Sequence, residues 1–211
     1  DPALLELMRA LTALPRTEVH VVTGRPREIV ERWLGHLPVG LHAEHGQWSR
    51  GLGASEWRAL AHPALEWRRP VLDILNEFAT RTPGALVEQK SVSLAWHYRQ
   101  ADPRFGNFQA RELLMHLNAL LSNVPVEVLS GNKVIEVRPH GVHKGRVVGP
   151  VLAAAPAGSL PLALGDDTTD ENLFAALPAD GLSVHVGPTP SQAHYRLDGV
   201  EDARAFLQRL R

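Results

Sequence analysis

The chain has 211 residues, 44% hydrophobic and 21% charged, with 17 Gly and 16 Pro, which is the composition of a globular protein with room for one large domain or a core carrying a smaller insert. Lys and Arg number 22 against 23 Asp and Glu, a formal charge of −1. This excludes a dominant nucleic-acid footprint and leaves local basic clusters able to bind small anions. Cysteine is absent, so disulfides, thiolate metal sites and cysteine nucleophiles are excluded. No apolar run approaches the ~18 residues of a membrane span and no signal peptide opens the chain, so a soluble cytoplasmic protein with no membrane partner is the expectation.

Leu4, Leu7, Met8, Leu11 and Leu14 recur at helical spacing behind Asp1 as N-cap and Pro2 in the first turn, predicting a helix from Pro2 to Leu14. Thr17 to Val22 alternates and is β-branched, a strand. It meets a turn at Thr23, Gly24, Arg25 and Pro26, and a helix from Glu28 to Leu34. From Gln47 to about Pro139 the texture changes. Leu72, Leu75 and Phe78 mark a helix, Leu86 to Arg99 alternates, Gln109 to Leu121 is helical, and two strands, Val126 to Leu129 and Lys133 to Val137, turn at Ser130, Gly131 and Asn132. The last third reads as a helix over Gly145 to Ala154, a short buried strand over Pro161 to Leu164, and a helix over Asp170 to Leu177. A strand over Leu182 to Val186 and a closing helix over Ala203 to Leu210 follow. Strands alternating with helices at both ends predict an α/β core with a mainly parallel sheet, residues 1–46 plus 140–211, interrupted by an α+β insert over 47–139.

The strongest local signal is Gly165, Asp166, Asp167, Thr168, Thr169, Asp170, Glu171, after the apolar strand and at a helix start. Asp166 and Asp170 are four apart, so their carboxylates can converge near the first turn. Such a cluster suits Mg²⁺, which takes oxygen ligands and commonly uses one or two carboxylates beside a substrate phosphate. An ordinary capped helix start also attracts acids, but four acids exceed what capping needs, and their repulsion must be offset by something positive. Thr23, Gly24 and Arg25 follow a strand where ligands of open parallel sheets bind, so a hydroxyl and amides stand ready for a phosphate; a turn with a solvated arginine is the alternative. Lys144, between Gly141 and Gly145 before a helix, can reach an anion as a compact point charge, or be a surface residue.

A strand-end hydroxyl, a glycine-flanked lysine and a late Gly-Asp-Asp cluster, in that order around an insertion, resemble the haloacid-dehalogenase-like phosphatases. Within them the chain is similar to the trehalose-6-phosphate phosphatases and the phosphatase domains fused to trehalose-phosphate synthases. The matching segments are Val22-Thr23-Gly24-Arg25-Pro26, Ala43-Glu44-His45-Gly46, Val87-Glu88-Gln89-Lys90, Trp96-His97-Tyr98-Arg99, Glu136-Val137-Arg138-Pro139, His143-Lys144-Gly145 and the Gly165 to Glu171 heptad. The resemblance implies a Rossmann-like core, an α+β cap inserted after the second core strand, and Mg²⁺-dependent hydrolysis of a sugar phosphate, trehalose 6-phosphate, through an aspartyl-phosphate. It implies that Thr23 and Arg25 contact the phosphate side of the substrate and that Lys144 neutralises the phosphate and nucleophile. Asp166 would ligate Mg²⁺ with Asp167 or Asp170 in support, and a synthase would be fused or associated.

The resemblance also gives Glu44, His45, Lys90, His97, Arg99 and Glu136 to sugar recognition, where carboxylates and cations pair with hydroxyls whose unpaired burial costs ~1 to 3 kcal/mol each. Read without it, Lys90 and Glu136 are outward-facing strand charges. His97 and Arg99, two apart, share a strand face as a cross-strand ion pair also requires. Trp96 and Tyr98 fall on the opposite face, as insert core.

The superfamily's first motif, Asp-x-Asp, is not in these residues, since no two aspartates are separated by one position. That motif ends a strand lying between the first and the Pro161 to Leu164 strands. The expectation is therefore an upstream segment that carries it, and a chain that does not turn over substrate without it. A catalytically silent regulatory or scaffolding module, and a phosphatase for another sugar phosphate, are the competing readings.

Overall fold

Asp1 caps the first helix, α1 (Pro2–Thr12), its carboxylate accepting from the Ala3 amide at 3.0 Å. The helix stops short of Leu14 because Pro15 disfavours helical backbone in the residue before it. The computed structural model describes residues 1–60 and 64–210, which form two compact units: Asp1–Leu60 with His143–Arg211, and Ala61–Val142.

In the first unit β1 (His20–Val22) leads through α2 (Arg27–Leu34) to β2 (Gly40–Ala43), its parallel partner. Strands β3 (Trp48–Arg50) and β4 (Arg58–Ala59) then add antiparallel, for the order β1-β2-β3-β4. Val30, Leu37, Val39, Leu41 and Ala43 form the core between α2 and this sheet. A second sheet is wholly parallel, order β11-β10-β9, from β9 (Leu162–Gly165), β10 (Leu182–Val186) and β11 (Tyr195–Leu197). Helix α5 (Val148–Ala154) precedes it, α6 (Glu171–Ala175) links β9 to β10, and α7 (Val200–Arg209) follows. The mainly parallel sheet expected of the core is thus two pieces, one mixed with only its β1–β2 pair parallel and one wholly parallel, with β1 and β9 each at an edge.

The second unit holds α3 (Arg68–Arg81), β5 (Leu86–Gln89), β6 (Leu94–His97), α4 (Pro103–Leu120), β7 (Val126–Gly131) and β8 (Val134–Pro139). Its sheet is antiparallel, order β5-β6-β8-β7. One face carries Leu94, Trp96, Ile135 and Val137, packed with Val71, Leu75 and Phe78 of α3 and Leu113 and Leu117 of α4. Helix α4 starts at Pro103, earlier than the apolar spacing predicts, because Asp102 accepts from the Arg104 and Phe105 amides and Pro103 suits the first turn. The β7–β8 hairpin turns at Asn132 and Lys133, the latter at φ 60°.

The predicted boundaries at 46/47 and 139/140 shift. β3 and β4 hydrogen-bond onto β2, which keeps residues 47–60 in the first unit, and Pro139 pairs with Val126, which holds the stretch to Val142 in the second. The 47–139 reading also takes in 61–63, which lie outside the described residues. Among the described residues, no helix is long and apolar enough to cross a membrane.

Candidate active site

In the first unit the chain leaves β1 through Thr23, Gly24 and Arg25. The Thr23 amide donates to the His42 carbonyl at 2.9 Å, and the Arg25 amide to Thr23 Oγ1 at 3.2 Å. The loop after β2 is zipped onto it: the Glu44 amide donates to the Arg25 carbonyl at 3.0 Å and the His45 amide to the Thr23 carbonyl at 2.9 Å. To make this turn Glu44, His45 and Gly46 take φ of 48°, 56° and 85° in succession. Left-handed backbone costs a non-glycine residue roughly 1–2 kcal/mol, and such strain collects at functional sites. Glu44 and His45 are both buried. A Cβ on Gly24 would stand 2.5 Å from His45 Nε2, and one on Gly46 would stand 2.7 Å from Val147 Cγ2 and 3.1 Å from Arg146 Cγ. The loops after β1 and β2 and the turn at Lys144–Val147 therefore meet at van der Waals distance, which only glycine permits.

That last turn presents Lys144, whose Nζ donates to Asp170 Oδ1 at 2.7 Å, with both side chains buried. Asp170 Oδ2 accepts from the Asp167 amide at 3.1 Å, and Asp167 Oδ1 from the Thr168 amide at 2.7 Å, a reciprocal capping box. Gly165 makes room for this arrangement, since a Cβ there would lie 2.3 Å from Asp170 Cγ. The acids thus divide. Asp170 turns inward to Lys144, Asp167 caps the turn, and Asp166 is exposed with no side-chain partner among the described residues. No three His, Asp or Glu side chains converge as a ready metal cage among the described residues. What Asp166 and Asp167 offer, hard carboxylate oxygens, fits Mg²⁺, which binds through one or two carboxylates and keeps waters and phosphate oxygens in the rest of its shell. Arg25 extends from the loop after β1, its guanidinium 4.9 Å from the exposed Trp33 ring.

In the second unit the sheet face opposite the core is polar. Register places Glu88, Ala95 and Glu136 side by side across β5, β6 and β8. Lys90 Nζ donates to Glu136 Oε1 at 2.9 Å and Ser93 Oγ to the same oxygen at 2.7 Å. His97 Nε2 meets Glu88 Oε2 at 2.8 Å, and that bond holds the Glu88 carboxyl below its ordinary pKa against the opposing effect of burial. Arg99 is not part of this cluster. β6 ends at His97, so the shared-face argument stops there, and its guanidinium donates to the Asn132 carbonyl at 3.4 Å. Trp96 and Tyr98 stack with ring centroids 4.9 Å apart in the core.

Sequence reasoning passed over Glu88 and Ser93 as individual residues. Glu88 was findable, two before Lys90 and so on its strand face. Ser93 becomes visible only once Lys90 and Ser93 are seen to close the β5–β6 hairpin.

Parallel strands β1 and β9 followed by loops that carry a hydroxyl and carboxylates, a lysine on the turn that re-enters the unit, and an inserted α+β unit define a haloacid-dehalogenase-like α/β fold. In agreement, a haloacid dehalogenase-like hydrolase from Bacteroides thetaiotaomicron superposes with a TM-score of 0.69 at 12% identity, covering 97% of this chain and 90% of its own. Residues 1–201 match the Trehalose-phosphatase family, and the chain belongs to it. The bifunctional trehalose-6-phosphate synthase/phosphatase of Thermoproteus tenax is 40% identical over 211 residues, all of this chain and 29% of that protein. The trehalose-6-phosphate phosphatase C-terminal domain of C. albicans superposes with a TM-score of 0.92 at 32% identity, covering 100% of this chain and 83% of its own. The chain thus spans under a third of the Thermoproteus relative's length.

Proposed function

We propose that the protein is a Mg²⁺-dependent phosphatase that hydrolyses trehalose 6-phosphate to trehalose and phosphate, fused to or working beside a trehalose-phosphate synthase in the cytoplasm. The observation that carries this reading is the buried 2.7 Å Lys144–Asp170 pair, in the same unit as the Thr23–Gly24 loop. An ammonium has three N–H donors, and Lys144 commits one to Asp170, so two remain for an anion. Thr23 Oγ1 accepts from the Arg25 amide and so keeps its own proton to donate to a phosphate oxygen. Mg²⁺ at Asp166, with Asp167 in support, would neutralise phosphoryl charge.

The second unit supports a sugar as the rest of the substrate. Its polar face holds an ion pair, Lys90–Glu136, beside a histidine–carboxylate hydrogen bond, His97–Glu88. Such pairs offer both donors and acceptors to a neutral polyol. In the first unit, Arg25, Glu44 and His45 are assigned to substrate contacts by the resemblance, and in the second Arg99, bonded to the Asn132 carbonyl, stands outside the polar cluster.

By resemblance the nucleophile and the general acid would be two aspartates of an Asp-x-Asp, a motif these 211 residues do not contain, on a strand expected between β1 and β9. The outer edges of those strands support this, because unpaired backbone groups within an α/β core are costly. The first aspartate's oxygen attacks phosphorus while the bond to the sugar oxygen breaks and the second aspartate protonates that oxygen. Water then attacks phosphorus of the acyl phosphate, giving its proton to the second aspartate, and restores the first carboxylate.

The test is phosphate release by the full-length protein with Mg²⁺ from a panel of sugar phosphates. Preference for trehalose 6-phosphate supports the reading. A preference for another sugar phosphate transfers the mechanism to that substrate, and no release from any overturns it. A silent regulatory module is the competing reading, and the retained Thr23, Lys144, Asp166 and Asp170 speak against it. Non-acidic residues at that motif in the full-length protein would establish it.

A further inference from the structure

We propose that Ser93 is a positioning residue for sugar recognition, its buried hydroxyl fixing the Glu136 carboxylate jointly with Lys90. The inference rests on the reading that this face of the second unit receives the sugar. The β5–β6 hairpin closes with the Lys90 amide donating to the Ser93 carbonyl at 3.0 Å, which makes Lys90 and Ser93 cross-strand neighbours. Their side chains therefore emerge on the face that carries Glu136, and both donate to one atom, Oε1, at 2.9 and 2.7 Å. Arg68, at the start of α3, holds the hairpin tip by donating from Nη1 to the carbonyls of Lys90 and Ser91, both at 2.8 Å.

The two donors differ in kind. Lys90 reaches Glu136 along a four-carbon stem with many rotamers. Ser93 is 3% exposed and carries its hydroxyl one bond from Cβ, so it moves only with the strand. A hydroxyl on a carboxylate makes a short, charge-assisted bond and adds no charge to the pair. Register gives the bond a further role. Glu88 and Glu136 occupy one cross-strand rank with only Ala95 between them, and each repels the other. Ser93 and Lys90 draw Glu136 toward the hairpin tip, while His97, in the next rank on the other side, draws Glu88 away. The hydroxyl thus helps to fix the direction of a buried carboxylate, and with it the geometry in which a sugar hydroxyl meets that group.

The experiment compares Ser93→Ala, Ser93→Thr and Glu136→Gln in the full-length protein, with kcat and KM for trehalose 6-phosphate and for p-nitrophenyl phosphate, and thermal midpoints as the folding control. Ser93→Ala is expected to raise KM for the disaccharide phosphate about tenfold, the effect of one hydrogen bond to a charged group. Its kcat should change less, and the preference over p-nitrophenyl phosphate should fall in step with the KM. Ser93→Thr, which restores the hydroxyl, should recover most of that preference. Ser93→Cys, a weak donor of similar size, replaces the alanine variant if that one does not fold. Wild-type preference in Ser93→Ala beside a loss in Glu136→Gln overturns the role of Ser93 alone. So does a folded Ser93→Thr as impaired as Ser93→Ala. Wild-type preference in Glu136→Gln removes the sugar-face reading and this inference with it.

Discussion

Changing Asp170 to asparagine keeps the side chain's shape and deletes its charge. Lys144 Nζ, 2.7 Å from Asp170 Oδ1 with side chains 10% and 5% exposed, is then left as a buried ammonium facing a neutral amide. Removing one partner of a buried ion pair costs about 3–5 kcal/mol, because the remaining charge has lost its compensation. For a domain of this size that lowers the thermal midpoint by about 6–20 °C. Lys144→Met is expected to do less damage, since the Asp170 carboxylate keeps the Asp167 amide as a donor at 3.1 Å. In the double variant no charge is stranded, so its loss should fall short of the sum of the singles by about 2 kcal/mol or more. Urea denaturation of wild type, both singles and the double closes the cycle. A coupling below about 0.5 kcal/mol would show that solvent or another group already satisfies Lys144, and the electrostatic account of the site would be wrong.

Gly24→Ala should destabilise the protein by about 1–3 kcal/mol, because the new methyl falls 2.5 Å from His45 Nε2; adding His45→Ala should restore most of it, and a Gly24→Ala single variant of wild-type stability in urea rejects the contact. Burial, and then the nearby His20 ring, pushes the His42 pKa down to about 4 from 6.5, so the folded state favours the neutral ring. Its contribution is therefore full above pH 6.5 and lost as pH falls toward 4, about 3 kcal/mol in all, and His42→Gln should flatten that part of the stability profile; an unchanged slope counts against it. Asp166→Asn should abolish Mg²⁺-dependent phosphate release while shifting stability by no more than about 0.5 kcal/mol, as expected of an exposed residue; unaltered turnover refutes the metal role.

Local chemistry wrote much of this molecule openly. The capped α1, the turn after β1, the β7–β8 hairpin and the Gly165 to Glu171 heptad each rest on residues within one or two turns of each other, where spacing alone sets which side chains share a face. The missed strand β2 has a different texture: all four of its residues are buried, so no polar alternation marks it. β3 and β4, of three and two residues, are strands only because β2 offers them an edge, and that edge moved the boundary from 46 to 60.

The candidate site divides along the same line. The sequence by itself determined which residue types were available: a strand-end threonine, a glycine-flanked lysine, a run of acids. Tertiary structure alone decided their partners. Lys144 meets Asp170 across 26 residues, Glu136 meets Lys90 across 46, and Arg99 drops out because its strand ends two residues early. A hydrogen bond is satisfied at about 3 Å whatever the distance along the chain, so pairing is set by strand register and loop packing, which no local pattern encodes.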